Sequence, residues 1–214
     1  MSDINSPEFS QALKKLQESL QSMNPEAMKQ AMQNLTFNEQ TFRSSIERTM
    51  SIMKRVMIEQ KTDDVMKRID KMIEQQSELN KEAAKTSPND KAKQQELSNK
   101  QNELKNELNE AKKELNELQN RMQEFKDEMP LNQLQKISDN LQNQNTDQKM
   151  QSSSQQMQQG DMKSAQNSQK QVMQDLNELQ KQMQNFKKNL LEGQKQQVMN
   201  AIKKSLKELL EISK

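Results

Sequence analysis

The chain contains no cysteine, no histidine, no tryptophan and no tyrosine. Without Cys or His there is no disulfide, no thiolate–imidazole pair, no imidazole base and no Cys/His zinc site. Only 2 glycines occur, and they stand alone, so no glycine-rich loop is present to cradle a phosphate. No D-x-D-x-D-G string offers a calcium loop. The acidic residues are spread among lysines along the chain, and no pair of them stands out as a general acid and base. The longest apolar runs are two or three residues, far short of the roughly 20 that a membrane span requires. The opening MSDINSPEFS has no basic stretch followed by an apolar one, which is the pattern of a signal peptide. These absences argue against an enzyme, a cofactor and a metal.

What remains is a helix-forming composition. Apolar residues make up 30% of the chain, where ordinary globular domains sit at about 45–50%. A strict coiled-coil seam needs two apolar residues in seven, about 29%, and the chain matches that value. Aromatics at 2% and a mean hydropathy of −1.23 agree with it. Low hydrophobicity is also a signature of disorder. Here the net charge is only +2 and the apolar residues fall in phase. Helix is therefore expected nearly throughout, with the weakest support over residues 142–160.

The helix punctuation divides the chain. Ser6 and Pro7 read as a cap and first turn, leading a face of Phe9, Leu13, Leu16, Leu20 and Met23. Asn24 and Pro25 repeat that grammar and open a short helix, so residues 1–37 form short N-terminal helices. Thr36 with Glu39, or Asn38 flanked by Phe37 and Phe42, starts a long helix over 38–86. Its stripe runs through Phe42, Ile46, Met50, Met53 and Met57, then resumes at Val65, Ile69, Met72, Leu79 and Ala83. The phase changes across the polar EQKTDD, so a stutter or kink is expected at 59–64, with Thr62 a candidate cap. Ser87 and Pro88 then open a heptad helix over 87–130 that Pro130 ends. Residues 131–160 hold a brief helix (Leu131, Leu134, Ile137, Leu141) and a Gln/Ser-rich stretch. Gly160 reads as a left-handed helix end and Asp161 as the next cap. A second heptad helix over 161–193 closes near Gly193, and an amphipathic helix with Met199, Ile202, Leu206 and Leu209 fills 194–214.

One segment occurs twice. Residues 115–126 read LNELQNRMQEFK and residues 176–187 read LNELQKQMQNFK. Each lies in a heptad run whose apolar members are the candidate helix interface. In the first run these are Leu97, Leu104, Leu108, Leu115, Leu118, Met122 and Phe125. In the second they are Val172, Leu176, Leu179, Met183, Phe186 and Leu190. Gln101 is the one polar residue in the first seam, and such a residue can set register at some loss of stability. The same offset aligns Ile137 with Val198 and Leu141 with Ile202. Each copy therefore reads as a long heptad helix, a break and a shorter helix. The seams close either on helices of the same chain or on a coiled-coil partner, a second copy included.

The remaining signals are weaker. The 17 methionines mostly occupy seam positions and read as core filler. The C-terminal lysines (Lys187, Lys188, Lys195, Lys203, Lys204, Lys207) are interleaved with acids. No Arg follows Arg121, and there is no Tyr or Trp to stack on bases. Nucleic acid is therefore not an expected partner. Lysine beside Leu and Ile over 194–214 does fit an amphipathic membrane-surface helix.

Four stretches resemble a known family: INSPEFSQALKKLQESLQSMNPEAMKQAMQNL, IERTMSIMKRVMIEQK (46–61), QQGDMKSAQNSQKQ and VMNAIKKSLKELLEIS (198–213). They are similar to a domain of unknown function in large bacterial membrane-anchored proteins, whose long Gln-rich helical region follows N-terminal membrane helices. The resemblance covers nearly the whole chain in order. It brings no functional residues, because no activity is established for the family. It implies a place in the bacterial cell envelope and, since the membrane helices are missing here, an internal piece of a longer protein.

The sequence thus predicts an all-α protein of elongated antiparallel helical hairpins and coiled-coil segments. The expected function is a non-catalytic scaffold or protein–protein interaction region, with a lipid or membrane-surface binding module as the alternative.

Overall fold

The computed structural model describes residues 40–212 and, ahead of them, positions 14, 15, 17, 18, 22, 24, 26, 27, 29 and 30. Side-chain burial is described at those ten positions, from Ile46 to Gln196 and at Met199. The fold is all-α: among the described residues there is no strand. The elements are α1 (Gln40–Lys85), α2 (Lys91–Met122), a single 3-10 turn (Gln123–Phe125), α3 (Leu131–Asn143), α4 (Thr146–Gln158) and α5 (Met162–Ile212). Two compact units, Met1–Gln60 and Lys61–Lys214, divide the chain within α1.

In the first unit the expected Asn24 cap is present, its Oδ1 accepting from the Ala27 N–H at 3.1 Å. The Ser6–Pro7 start, the Thr36 and Asn38 caps and the stripe from Phe9 to Met23 lie outside the described residues. On α1, Ile46 and Met53 are buried and Ile58 follows them, while Met50 and Met57 are only partly covered. The change of phase therefore falls between Met53 and Ile58, one turn before EQKTDD. The helix continues without a break across that polar stretch, and Thr62 is a buried interior position rather than a cap.

The second unit is a four-rod bundle built from 3–4 spacing. Buried positions recur at 62, 65, 69, 72, 76, 79 and 83 on α1, and at 97, 101, 104, 108, 111, 115, 118 and 122 on α2. On α5 they recur at 162, 165, 169, 172, 176, 179, 183, 186 and 190. Such a stripe must be covered by another helix, and in water that burial supplies most of a helix's stability.

Polar contacts fix the register. Between α1 and α2, Lys61 pairs with Glu117, Arg68 with Glu107 and Glu114, and Glu82 with Lys93 and Lys100. Numbers rise on one helix as they fall on the other, so the two are antiparallel. The same inversion links α2 to α3 and α4, through Gln119 to the Leu134 carbonyl, Lys112 to Asp147 and Ser98 to Ser154. It links α3 and α4 to α5 through Gln133–Asn189, Lys149–Asp175 and Gln156–Ser168. Asp63–Lys187, Asp70–Gln180 and the Ala83 carbonyl with Gln166 return α5 to α1. The rods run up, down, up, down, and each packs on two neighbours. The third rod is α3 and α4 end to end.

Several boundaries differ from the sequence reading. Asp90, not Ser87, caps α2: its Oδ1 accepts from the Lys93 N–H at 3.0 Å, while Ser87 Oγ accepts within the turn from Asn89 N–H. Helix α2 ends at Met122 rather than at Pro130. The chain tightens into the 3-10 turn, and Pro130, which lacks an N–H, precedes the first residue of α3. The Gln/Ser-rich stretch is helix α4, whose sides Met150 and Met157 bury completely. Gly160 does adopt the left-handed conformation (φ 80°), and Asp161 caps α5 by accepting from Ser164 N–H at 3.1 Å. Gly193, by contrast, stops nothing. Helix α5 continues through it to Ile212, so the expected break and separate C-terminal helix are absent. The duplicated segments therefore part company after the seam, because Pro130 interrupts the first copy and Leu191 stands at the equivalent place in the second.

Candidate functional site

Every candidate interface residue lies inside the second unit. Leu97, Leu108, Leu115, Leu118 and Met122 of α2 are fully buried, with Leu104 and the following Phe125 nearly so. On α5, Val172, Leu176, Leu179, Met183, Phe186 and Leu190 are equally covered. The two copies of LNELQ lie on diagonally placed rods, since α2 and α5 each pack against α1 on one side and α3–α4 on the other. Leu134, Ile137 and Leu141 of α3 complete an apolar half of the bundle. Each such side chain contributes about 1.5–3 kcal/mol on burial.

The other half carries a polar layer among its apolar side chains, and the sequence showed only one piece of it. Gln101 does occupy the seam, fully buried, but it is one of four polar residues in a single cross-section. Gln76 from α1, Gln101 from α2, Ser153 from α4 and Gln169 from α5 are all 0% exposed. The Gln101 amide donates to Gln76 Oε1 at 2.8 Å and accepts from Gln76 Nε2 at 3.3 Å. Its Oε1 also accepts from Ser153 Oγ at 3.2 Å and from Gln169 Nε2 at 3.4 Å. One oxygen thus gathers all four rods. Gln169 Oε1 is buried without a hydrogen-bond partner. Burying an amide without full compensation costs free energy, so this layer subtracts from stability while allowing one register to satisfy its groups.

Next to this layer, the Ser98 and Ser154 hydroxyls meet at 2.7 Å. Small side chains here (Ser98, Ser153, Ser154, Ala165) let α4 approach both α2 and α5 to within 8 Å between Cα atoms. At the start of α4, Thr146 Oγ1 donates to Asp175 Oδ2 at 2.9 Å and Lys149 pairs with the same oxygen at 2.7 Å. Asp147 pairs with Lys112 at 3.0 Å. Burial pushes the Asp147 carboxyl up, but the Lys112 hydrogen bond and charge outweigh it and hold the group below its ordinary range. Glu114 behaves alike: burial raises it, and the Arg68 guanidinium and Lys61 lower it by more.

A groove of about 560 Å³ lies between α1 and α2, lined by Glu74, Glu78, Glu82, Glu103 and Glu107 with Lys100, over Leu79 and Leu104. Glu82 is held ionised by hydrogen bonds from Lys93 and Lys100. The groove presents five carboxylates and one ammonium group over an apolar floor. Among the described residues no group of His, Cys, Asp or Glu has the arrangement to hold a metal ion. No helix among them is long and apolar enough to cross a membrane.

Comparison of the chain with protein-family models, curated proteins and solved structures returned no match.

The polar layer had a sequence signal. Gln76 stands between Met72 and Leu79, and Gln169 between Ala165 and Val172, at the heptad positions that the apolar stripes skip. In α4 the sequence Thr146, Met150, Ser153, Met157 keeps helical spacing with small polar members.

Proposed function

We propose that this chain is a non-catalytic scaffold module that acts through helix-to-helix association, within a longer membrane-anchored bacterial protein of the kind its sequence resembles. The observation that carries the reading is the composition of the interior. Heptad stripes on four rods are filled by aliphatic, Met and Gln side chains, and the polar groups between rods are spent on ion pairs and register. Coiled-coil contact with a partner's helix would use the same α2 and α5 seams when they are not covered by the chain's own rods.

A second reading, contact with a lipid surface through 194–214, is favoured by one observation. Leu191 and Met199 on the last part of α5 are 38% and 45% exposed, and lysines accompany them in the sequence. Circular dichroism with light scattering on the same sample separates the two. The scaffold is fully helical and cooperative in plain buffer, with no gain on adding anionic vesicles. A chain that becomes helical only with vesicles would overturn it in favour of the lipid reading.

A further inference from the structure

We propose that α4 is a displaceable half of the third rod that undocks as a unit between Asn145 and Gly160 while α1, α2, α3 and α5 stay packed. Three independent features lead there. The first is hinge placement. Asn145 (φ 51°) and Gly160 (φ 80°) are the left-handed residues among those described, and they stand at the two ends of α4. Left-handed backbone ends a helix and absorbs a change of direction at low cost, most readily in Gly and Asn. Asn145 makes no side-chain cap to α4; its link to the helix is its carbonyl, which accepts from the Gln148 and Lys149 N–H groups at 3.0 and 3.1 Å.

The second feature is how α4 is held. Its buried residues are Thr146, Met150, Ser153, Ser154 and Met157, of which only the two methionines are large and apolar. The rest of its docking is polar: Ser154 to Ser98, Ser153 to Gln101, Thr146 and Lys149 to Asp175, and Asp147 to Lys112. A hydrogen bond between protein groups is exchanged for one with water when a rod opens, and its net contribution is small beside that of a buried Leu. Of the two helices that share the third rod, α4 therefore contributes the fewer large apolar side chains to the interior. The third is the orphaned Gln169 Oε1, which faces the layer that α4 closes and which water would satisfy on opening.

Undocking uncovers α2 between Ser98 and Lys112 and α5 between Ala165 and Asp175, the stretches α4 now contacts. Seam residues Leu104, Leu108 and Val172 lie within them. The inference rests on the reading of the chain as a helix-association module, and it supplies the step by which a self-closed bundle presents its seam. Regions with few buried apolar contacts open sub-globally in this way.

Native-state hydrogen exchange on the whole chain, read by mass spectrometry, tests it. Amides of residues 147–158 should exchange about 100-fold faster than those of 97–118 and 165–190, the gap expected of a sub-global opening. In the S98C/S154C variant, oxidation should slow α4 to the rate of its neighbours and reduction should restore the difference. Exchange of α4 in step with α2 and α5 would overturn the inference. So would fast exchange that persists in the oxidised variant, since that is fraying within the helix rather than undocking. The exchange is measured on the chain alone. A chain that opens yet takes no partner helix would leave this inference standing and sink the functional reading instead.

Discussion

Helices α3 and α4 are each 13 residues long, share one rod and pack against the same two neighbours, yet they are held by different means. Helix α3 buries Leu131, Leu134, Ile137 and Leu141. Helix α4 buries two methionines and three hydroxyl residues. Four aliphatic side chains at about 1.5–3 kcal/mol each give α3 roughly twice the apolar stabilisation of α4. What α4 has in place of apolar volume is address: its buried hydroxyl groups meet named partners on α2 and α5, and a slip of register would strand them. The apolar seams make the bundle stable, and the polar layer with the contacts of α4 specifies which rods pair and at what height.

The largest effect should come from the apolar half. Leu134→Ala leaves a cavity at a fully buried position and should lower stability by about 2–5 kcal/mol, read as a shift of the denaturation midpoint for all four rods together. If only α3 melted, the two halves would not be one cooperative unit. Next is the centre of the polar layer. Gln101→Leu strands the Gln76 and Gln169 amides and should cost about 1–3 kcal/mol. The combined change of Gln76, Gln101 and Gln169 to Leu with Ser153→Ala should regain that loss, because no buried polar group is left unpartnered, while permitting more than one rod pairing. A quadruple variant less stable than Gln101→Leu would contradict the account of the layer as a specificity device.

The two glycines give a smaller test with opposite signs. Gly160 is left-handed, so Gly160→Ala should destabilise by about 1–2 kcal/mol. Gly193 is interior to α5, and an added Cβ would sit 3.6 Å from the Glu128 carbonyl, an ordinary contact. Gly193→Ala should therefore stabilise by about 0.8–1 kcal/mol through helix propensity, measured as a raised melting temperature.

The smallest effect concerns acid. Asp147 ties α4 to Lys112, and its folded pKa lies below the ordinary 3.8. A depressed carboxylate stabilises the fold above its ordinary pKa, and that contribution disappears as the pH falls through the depressed value. Between pH 7 and pH 3, Asp147→Asn should show a smaller drop in melting temperature than the parent chain. An unchanged drop would remove Asp147 from the contacts that hold α4.

Much of this was legible in the sequence, and the losses have physical causes. Heptad spacing placed the α2 and α5 seams residue by residue, and the αL end at Gly160 with the Asp161 cap was readable because both follow from local backbone chemistry. Helix α4 was not, because apolar periodicity is the main signal and Ser153 and Ser154 carry none; their burial depends on close-approaching neighbours. Gln76 and Gln169 were passed over for the same reason, since a polar residue at a seam position has meaning only when the other rods bring it partners. Pro130 and Gly193 misled in opposite directions. Proline stood after the real helix end, and a lone glycine inside a packed helix costs too little to break it.

The central claim is that one chain closes its own seams. Four carboxylate–amine pairs, one across each neighbouring pair of rods, report on it directly: Glu82–Lys100 at 3.1 Å, Asp147–Lys112 at 3.0 Å, Asp175–Lys149 at 2.7 Å and Asp63–Lys187 at 2.6 Å. Equal amounts of light and ¹⁵N-labelled chain, unfolded and refolded together, can be joined with a zero-length carbodiimide reagent and digested for mass spectrometry. The account predicts all four linked peptides as wholly light or wholly heavy species. Mixed light–heavy peptides for these pairs would show that the seams close between chains, and would contradict it.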